Sequence, residues 1–108
     1  MTTNGENEKM MAGESIKDFI DGLSFGEYLR NIRTSDDISQ TELASKLSVT
    51  KQFISAIETG KESVGLDFAK RVADALGYSL APFAKILLSE QIHKYDTNLE
   101  IEIKRKAS

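Results

Sequence analysis

The stretch SQTELASKLSVTKQFISAIETGK, residues 39–61, decides how this chain folds. Its opening Ser39-Gln40-Thr41-Glu42 has the form of a capping box, in which the serine hydroxyl accepts the glutamate amide and the glutamate carboxylate accepts the serine amide. Thr50 suits a second N-cap, and Gly60 suits the left-handed position beyond a helix end. The stretch therefore predicts two short helices joined by the tight connection Ser48-Val49-Thr50.

Apolar residues outside this stretch predict three further helices. From Phe25 to about Thr34 they recur at the spacing of one helical face. Residues 66–76 repeat that pattern before Gly77, and a fifth helix begins after Ser79, since the proline that follows is tolerated in a first helical turn. The predicted fold is therefore all-α, a compact five-helix bundle in which the two short helices have the spacing of a helix-turn-helix.

The composition excludes several classes of protein. The chain has 108 residues, of which 40% are hydrophobic, so it can build one core without covalent staples. It has no cysteine, which rules out a disulfide scaffold and a zinc site built on thiolates. No apolar run approaches the roughly 20 residues of a membrane-spanning helix, and the polar N-terminus is unlike a signal peptide. We expect a cytoplasmic protein with no membrane partner.

The negative charge is concentrated ahead of the helices. The chain carries 14 Lys and Arg against 17 Asp and Glu, a net charge of −3. We interpret residues 1–14 as a disordered acidic tail, because they cannot bury enough surface to offset the entropy of ordering. Residues 15–23 are interpreted as a short helix or linker. This acidity says little about what residues 24–80, the predicted helix-turn-helix domain, would bind.

Residues 81–108 contain the fifth helix and then a different pattern. Apolar and charged residues alternate from 99 to 104, which is the period of a half-buried β-strand. The alternating residues are Leu99, Glu100, Ile101, Glu102, Ile103 and Lys104. A single strand has no partner inside a helical chain, so it must pair with a second copy, pair with another protein, or not form.

From Phe25 to Leu80 the chain resembles the lambda-repressor/Cro-type helix-turn-helix family, also called the xenobiotic-response-element family. The resemblance covers about half of the chain and depends on many residues at the family spacing. These are Gln40, Glu42, Leu43, Ala44, Val49, Ile54, Ile57, Glu58, Gly60, Ala73, Leu76 and Gly77. Two positions depart from the family pattern, since Ser48 replaces the usual turn glycine and Val64 replaces the usual proline before the fourth helix.

The resemblance implies a DNA-binding site on the helix that begins at Lys51, whose N-terminal residues would meet base edges in the major groove. Gln52 has the donor and acceptor that match adenine, and Lys51 can donate to guanine or to a phosphate. The predicted base-contacting residues are Lys51, Gln52, Ser55 and Ala56, and the predicted backbone-contacting residues are Gln40, Thr50, Phe53 and Lys61. For Phe53, packing against Ile57 is the alternative.

The resemblance also implies an internal ion pair between Arg33 and Glu58, which would brace the recognition helix against the first helix. If both side chains were simply exposed, such a pair would matter little.

No catalytic residue, metal ligand or cofactor is predicted, since the chain lacks cysteine, a glycine-rich phosphate loop and a histidine–carboxylate constellation.

The predicted function is a sequence-specific transcriptional regulator, a repressor acting as a homodimer on a palindromic operator. A dimer is expected because one such unit reads only a few base pairs. The residues assigned to dimerisation are Phe83, Leu87, Leu99, Ile101 and Ile103. The alternative is an antitoxin that binds a toxin protein and uses the same helix-turn-helix for autoregulation.

Overall fold

The computed structural model describes residues 22–106, and this part of the chain forms five helices. In chain order they are α1 (Phe25–Ser35), α2 (Gln40–Leu47), α3 (Lys51–Glu58), α4 (Leu66–Leu76) and α5 (Leu80–His93). The predicted all-α five-helix bundle is confirmed. The predicted acidic tail and nearly all of the short helix or linker lie outside the described residues. Within those residues, no helix is long and apolar enough to cross a membrane.

Local side-chain bonds explain where the first helices begin. The Ser39 hydroxyl accepts from the Glu42 amide at 3.0 Å, and the Ser39 amide donates to the Glu42 carboxylate at 2.9 Å, which confirms the predicted capping box. These bonds hold the pKa of Glu42 below its ordinary value. Ser24 and Glu27 form an equivalent box at the start of α1, with both distances at 3.0 Å. Both boxes satisfy amide groups that would otherwise have no partner inside the helix.

The connection between α2 and α3 contains a strained residue. Ser48 ends α2 in the left-handed conformation, with φ 58° and ψ 43°. The chain turns sharply there, and the Val49 amide donates to the Ala44 carbonyl at 3.0 Å. A residue with a Cβ atom in this conformation costs roughly 1–2 kcal/mol. The turn is therefore made without the glycine that is usual in the family.

One core joins all five helices. Its fully buried members come from every helix and are Phe25, Leu29, Leu43, Ala44, Leu47, Ile54, Ile57, Ala69, Val72, Ala73, Phe83, Ile86 and Leu87. Phe83 of α5 lies at the centre, where its ring meets those of Tyr28 at 5.0 Å and Phe25 at 6.4 Å in edge contacts. The helix assigned to dimerisation is thus also part of the bundle.

This packing corrects two of the residues assigned to dimerisation. Phe83 is 0% exposed and Leu87 is 3% exposed, so the core of the same chain already uses both side chains. The assignment failed because α5 carries apolar residues on more than one face. Periodicity alone did not show which face would turn toward the core.

The C-terminal alternation does not form a strand in the described chain. Residues 99–106 have no regular secondary structure, and the His93 Nε2 atom lies 2.8 Å from the Leu99 carbonyl oxygen. A strand satisfies its backbone groups only by pairing, and no other strand exists among residues 22–106. The alternation at residues 99–104 thus has no strand partner within residues 22–106, as the sequence implied, and its pairing with a second copy or another protein stays a prediction.

Candidate nucleic-acid interface

Helix α3 separates a buried face from an accessible one. Ile54 and Ile57 are 0% and 2% exposed and anchor the helix in the core. Lys51 and Gln52, in its first turn, are exposed. Ser55 and Ala56, one turn later, are half-buried. The accessible part of α3 is thus its N-terminal end, and access decreases along the helix. These four are the residues predicted to contact bases.

The start of α3 offers hydrogen-bond donors to an anion. The Thr50 hydroxyl oxygen accepts from the Phe53 amide at 3.0 Å, which leaves the hydroxyl hydrogen free to donate. Among the described residues, the amides of Lys51 and Gln52 have no hydrogen-bond partner. Free amides at a helix start carry a partial positive charge, to which the Lys51 ammonium adds a full one. This arrangement suits a phosphate or the acceptor atoms of a base edge.

A buried carboxylate fixes the other end of α3. The Glu58 side chain is only 2% exposed, and its two oxygens accept from Arg33 Nε at 2.7 Å and Arg33 Nη2 at 3.0 Å. The same guanidinium donates to the Ile38 carbonyl at 2.8 Å. Such a two-pronged bond constrains direction as well as distance. The pair therefore locks the end of α3 against α1 and against the loop before α2.

Gln40 contributes to the same cluster. Its side-chain amide donates to Glu58 Oε1 at 2.9 Å, so the first residue of α2 is tied to the last residue of α3. The sequence had assigned this residue to the DNA backbone. With the side-chain amide bonded to Glu58, the main-chain amide at the start of α2 remains the group suited to a phosphate.

Phe53 lies in the first turn of α3, and Lys61 lies beyond its C-terminal end. The Phe53 ring is half-buried and meets the Phe68 ring of α4 edge-on at 5.6 Å. Packing against Ile57 was the alternative to a DNA-backbone contact, and the ring contact that the structure shows is with another helix. Lys61 is exposed just after the glycine that follows α3, where its ammonium is free to meet a phosphate.

One residue near the turn was not identified from the sequence. The Arg71 guanidinium, on α4, donates to the Leu47 carbonyl at the end of α2 and lies 5.6 Å from the centre of the Phe68 ring. It therefore joins α4 to the connection between α2 and α3. No local pattern could indicate this contact, because the two partners are 24 residues apart.

Metal chemistry finds no support in the described part of the chain. No group of three or more His, Cys, Asp or Glu residues there could hold an ion. His93 lies at the end of α5, where its ring contacts a backbone carbonyl.

Comparison with known proteins places these features in context. A family model described as helix-turn-helix matches residues 29–83, from the middle of α1 to the first turn of α5. The chain is 39% identical over 56 residues to the control protein C.BamHI of Bacillus amyloliquefaciens, covering 51% of this chain and 69% of that protein. It is 43% identical over 49 residues to an uncharacterized HTH-type transcriptional regulator of Methanothermobacter thermautotrophicus, covering 45% and 71%.

Solved structures show the same architecture. The restriction-modification controller protein C.AhdI from Aeromonas hydrophila superposes with a TM-score of 0.52 at 27% identity, covering 62% of this chain and 97% of that one. The hypothetical transcription factor NHTF from Neisseria superposes with a TM-score of 0.52 at 22% identity, covering 67% and 80%. The second likeness concerns the fold alone.

Proposed function

Because this chain belongs to the lambda-repressor-like helix-turn-helix family of DNA-binding regulators, we propose that it reads specific double-stranded DNA through the N-terminal end of α3. One observation carries the proposal. Lys51 and Gln52 are exposed at the start of a helix whose opposite face, Ile54 and Ile57, is buried in the core. A helix held in this way can enter a major groove with its polar end first.

Each accessible residue of α3 has a distinct role in this proposal. Gln52 reads adenine with its paired donor and acceptor, and Lys51 donates to guanine or to a phosphate. Ser55 and Ala56 approach the floor of the groove, where the Ala56 methyl group can touch a thymine methyl. Thr50, Lys61 and the start of α2 hold phosphates and set the register.

The small number of base pairs that one helix can read supports a proposal on the form of regulation. A single helix in the groove reads only a few base pairs, so we propose a homodimer on a palindromic operator whose half-sites are about 34 Å apart. Occupancy of a promoter is enough to repress it, and we propose repression. Relatives named as a control protein and as a transcriptional regulator support a regulatory role. The antitoxin alternative stays a prediction that no feature of the described residues favours.

Selection of binding sites from random double-stranded DNA tests the proposal. The full chain should enrich a short palindrome, and gel shifts should show tight binding to that palindrome over scrambled DNA of equal length. The spacing of the two half-sites would report the separation of the two α3 helices. Enrichment of no sequence, with equal binding to all duplexes, would contradict sequence-specific recognition.

A further inference from the structure

The segment after α5 leaves an apolar surface uncovered. Leu99 is 45% exposed and Ile103 is 38% exposed, while Tyr95 is 87% exposed. On α5 itself, Leu88 and Ile92 lie one turn apart and are only half-buried. The described chain thus has exposed apolar side chains after α5 and half-buried ones on the last turns of α5, and the contact of His93 Nε2 with the Leu99 carbonyl oxygen at 2.8 Å links the segment to this helix.

The backbone of this segment is available for pairing. The amides of Ile101, Ile103 and Arg105 have no hydrogen-bond partner among the described residues. The Glu102 carboxylate lies 3.8 Å from the Lys104 ammonium, with both side chains more than three-quarters exposed. Side chains two residues apart therefore project to the same side, as they do in a strand.

We propose that residues 100–106 become a β-strand only in a dimer, by antiparallel pairing with the same segment of a second copy. The two-fold axis passes between the two Ile103 residues. The inference rests on the homodimer of the proposed function and adds the segment and the register that join its two copies.

Charge complementarity selects this register. With Ile103 opposite Ile103, Glu102 faces Lys104 of the other copy twice, and Glu100 faces Lys106 twice. A register centred on Glu102 would keep two opposite-charge pairs, Glu100 with Lys104, but would place two Glu102 carboxylates opposite each other. One centred on Lys104 would keep two, Glu102 with Lys106, but would oppose two ammonium groups. Centring on Ile101 would set Glu100 against Glu102. Opposite charges across a strand pair stabilise it, and like charges destabilise it.

The second copy suits this surface better than an unrelated strand would. An isolated pair of strands is marginal in water and needs an apolar surface beneath it. Ile101 and Ile103 share one side of the proposed strand, with Leu99 directly before it, and the half-buried Leu88 and Ile92 of α5 offer an apolar surface. Arg105 lies on the same side and faces Ile101 of the other copy. The other side carries both signs of charge in an order that is complementary to itself under a two-fold rotation.

Single-cysteine variants measure the register directly, since the natural chain contains no cysteine. Under mild oxidation, Ile103→Cys should form a covalent dimer at least tenfold faster than Ile101→Cys or Glu102→Cys. In the proposed register the two residues 101 are offset by about 13 Å along the strands, and a disulfide needs Cα atoms within about 7 Å. Lys70→Cys, on an exposed part of α4, gives the rate of random collision.

The relative cross-linking rates distinguish the possible registers and test whether the two strands pair at all. Fastest cross-linking of Glu102→Cys or Ile101→Cys would overturn the register centred on Ile103. Rates equal to that of Lys70→Cys at all three positions would overturn strand pairing itself. Circular dichroism of each variant checks that the five-helix fold is retained.

A charge exchange provides a second test without oxidation. Glu102→Lys and Lys104→Glu should each raise the dimer dissociation constant, by about fivefold, as measured by sedimentation equilibrium. The double variant restores opposite charges in the proposed register and should return to within about twofold of the natural chain. A double variant no better than either single variant would overturn the proposal.

Failure here is separable from failure of the proposed function. Loss of sequence preference in Gln52→Ala, together with absent cross-linking of Ile103→Cys, would retain DNA reading and remove only the strand pairing. Cross-linking of Ile103→Cys in a chain that selects no DNA sequence would retain the strand pairing and remove sequence-specific DNA reading.

Discussion

Ser48 carries a local cost that a glycine would not. Its left-handed backbone is imposed by the tight connection between α2 and α3, which places the start of the recognition helix. The sequence indicated a departure here, since a serine replaces the glycine that is usual in the family, and the structure shows that this serine adopts the left-handed conformation. The turn must be held by its surroundings, among them Arg71, which donates to the Leu47 carbonyl.

Replacing this serine should make the protein more stable. Ser48→Gly removes a steric cost of roughly 1–2 kcal/mol but frees the unfolded chain, so we expect a net gain of about 0.5–1 kcal/mol in the free energy of unfolding. Urea denaturation measures it. Ser45→Gly, at an exposed position inside α2, is the matched control and should lower stability by about 0.5 kcal/mol. Destabilisation by Ser48→Gly would show that the serine side chain itself stabilises the turn.

Gln52 should govern a single base pair. Gln52→Ala should weaken binding to the selected operator by about 1–3 kcal/mol and relax preference at one position of each half-site. Binding to random duplex should change little, because phosphate contacts are kept. Gel shifts against operators altered one base pair at a time measure both effects. Unchanged affinity and unchanged preference would show that Gln52 does not reach the bases.

At the scale of elements, α1 approaches α3 so closely at Gly26 that even a Cβ atom would not fit there. A methyl group on Gly26 would collide with the Ile57 carbonyl oxygen and would lie 3.0 Å from the Glu58 Cα atom. The glycine thus sets the depth of contact at the same end of α3 that Arg33 and Glu58 hold by hydrogen bonds. Helix position and helix direction are fixed together.

Widening this contact should disturb both stability and DNA binding. Gly26→Ala should lower the free energy of unfolding by about 1–3 kcal/mol and weaken operator binding, because α3 must move away from α1. Thermal denaturation and gel shifts check the two effects. Gly65→Ala adds the same methyl group where nothing lies within 4 Å, so a loss below about 1 kcal/mol is expected. Equal losses in the two variants would argue against the close contact.

A tyrosine joins the end of α1 to the connection before α5. The Tyr78 hydroxyl donates to both oxygens of Asp36, at 2.9 and 3.0 Å, and this bond is the main cause that raises the pKa of Tyr78 above its ordinary value. A raised folded-state pKa favours the protonated form. The contribution to stability is therefore present below the unfolded-state pKa of about 10 and is lost as the pH rises through the folded-state pKa.

Removing the carboxylate charge should reverse this effect. Asp36→Asn should lower the pKa of Tyr78 toward its ordinary value and reduce the loss of stability at alkaline pH. Ultraviolet titration of tyrosinate, compared with a Tyr78→Phe variant to identify the signal, measures the pKa. A titration curve unchanged by Asp36→Asn would show that the bond does not persist in solution.

The elements could be predicted from the sequence where their causes are local. The box at Ser39 and Glu42, the helix starts and the end at Gly77 all depend on residues a few positions apart. Contacts between distant parts of the chain could not be predicted, because no local pattern indicates them. The contact between the Phe68 and Phe53 rings is one example. The N-terminal end of α3 was assigned to DNA through a resemblance, and this assignment stays a prediction; the structure shows that Lys51 and Gln52 are exposed there. The inward face of α5 was misjudged because apolar residues surround that helix.

At the scale of the whole molecule, attraction to DNA must come from cations close to α3, since the chain is acidic overall. The net charge of −3 opposes a polyanion, and cations near α3 must offset it at short range. Lys51 and Lys61, at the two ends of α3, are both exposed. Binding through such contacts releases counterions from DNA and weakens as salt is added.

The salt dependence of binding should report these contacts. Lys61→Ala should weaken binding to operator and random duplex alike, and should reduce the slope of log affinity against log salt by about one. Lys70→Ala removes the same charge from an ammonium that is bonded to Asp74 at 2.7 Å on α4, and its slope should stay close to that of the natural chain. An unchanged slope for Lys61→Ala would place this residue away from the phosphates.

The hydrogen-bonded cluster of Arg33, Gln40 and Glu58 has a consequence for how such a protein can acquire a new target. These three side chains hold the C-terminal end of α3 against α1 and α2. None of them belongs to the accessible N-terminal end. The residues at that end can therefore be exchanged for those of another regulator without changing Arg33, Gln40 or Glu58. Substituting positions 51, 52, 55 and 56 with the matching residues of another helix-turn-helix regulator should redirect the protein to that regulator's operator. The position of α3 in the bundle should stay the same.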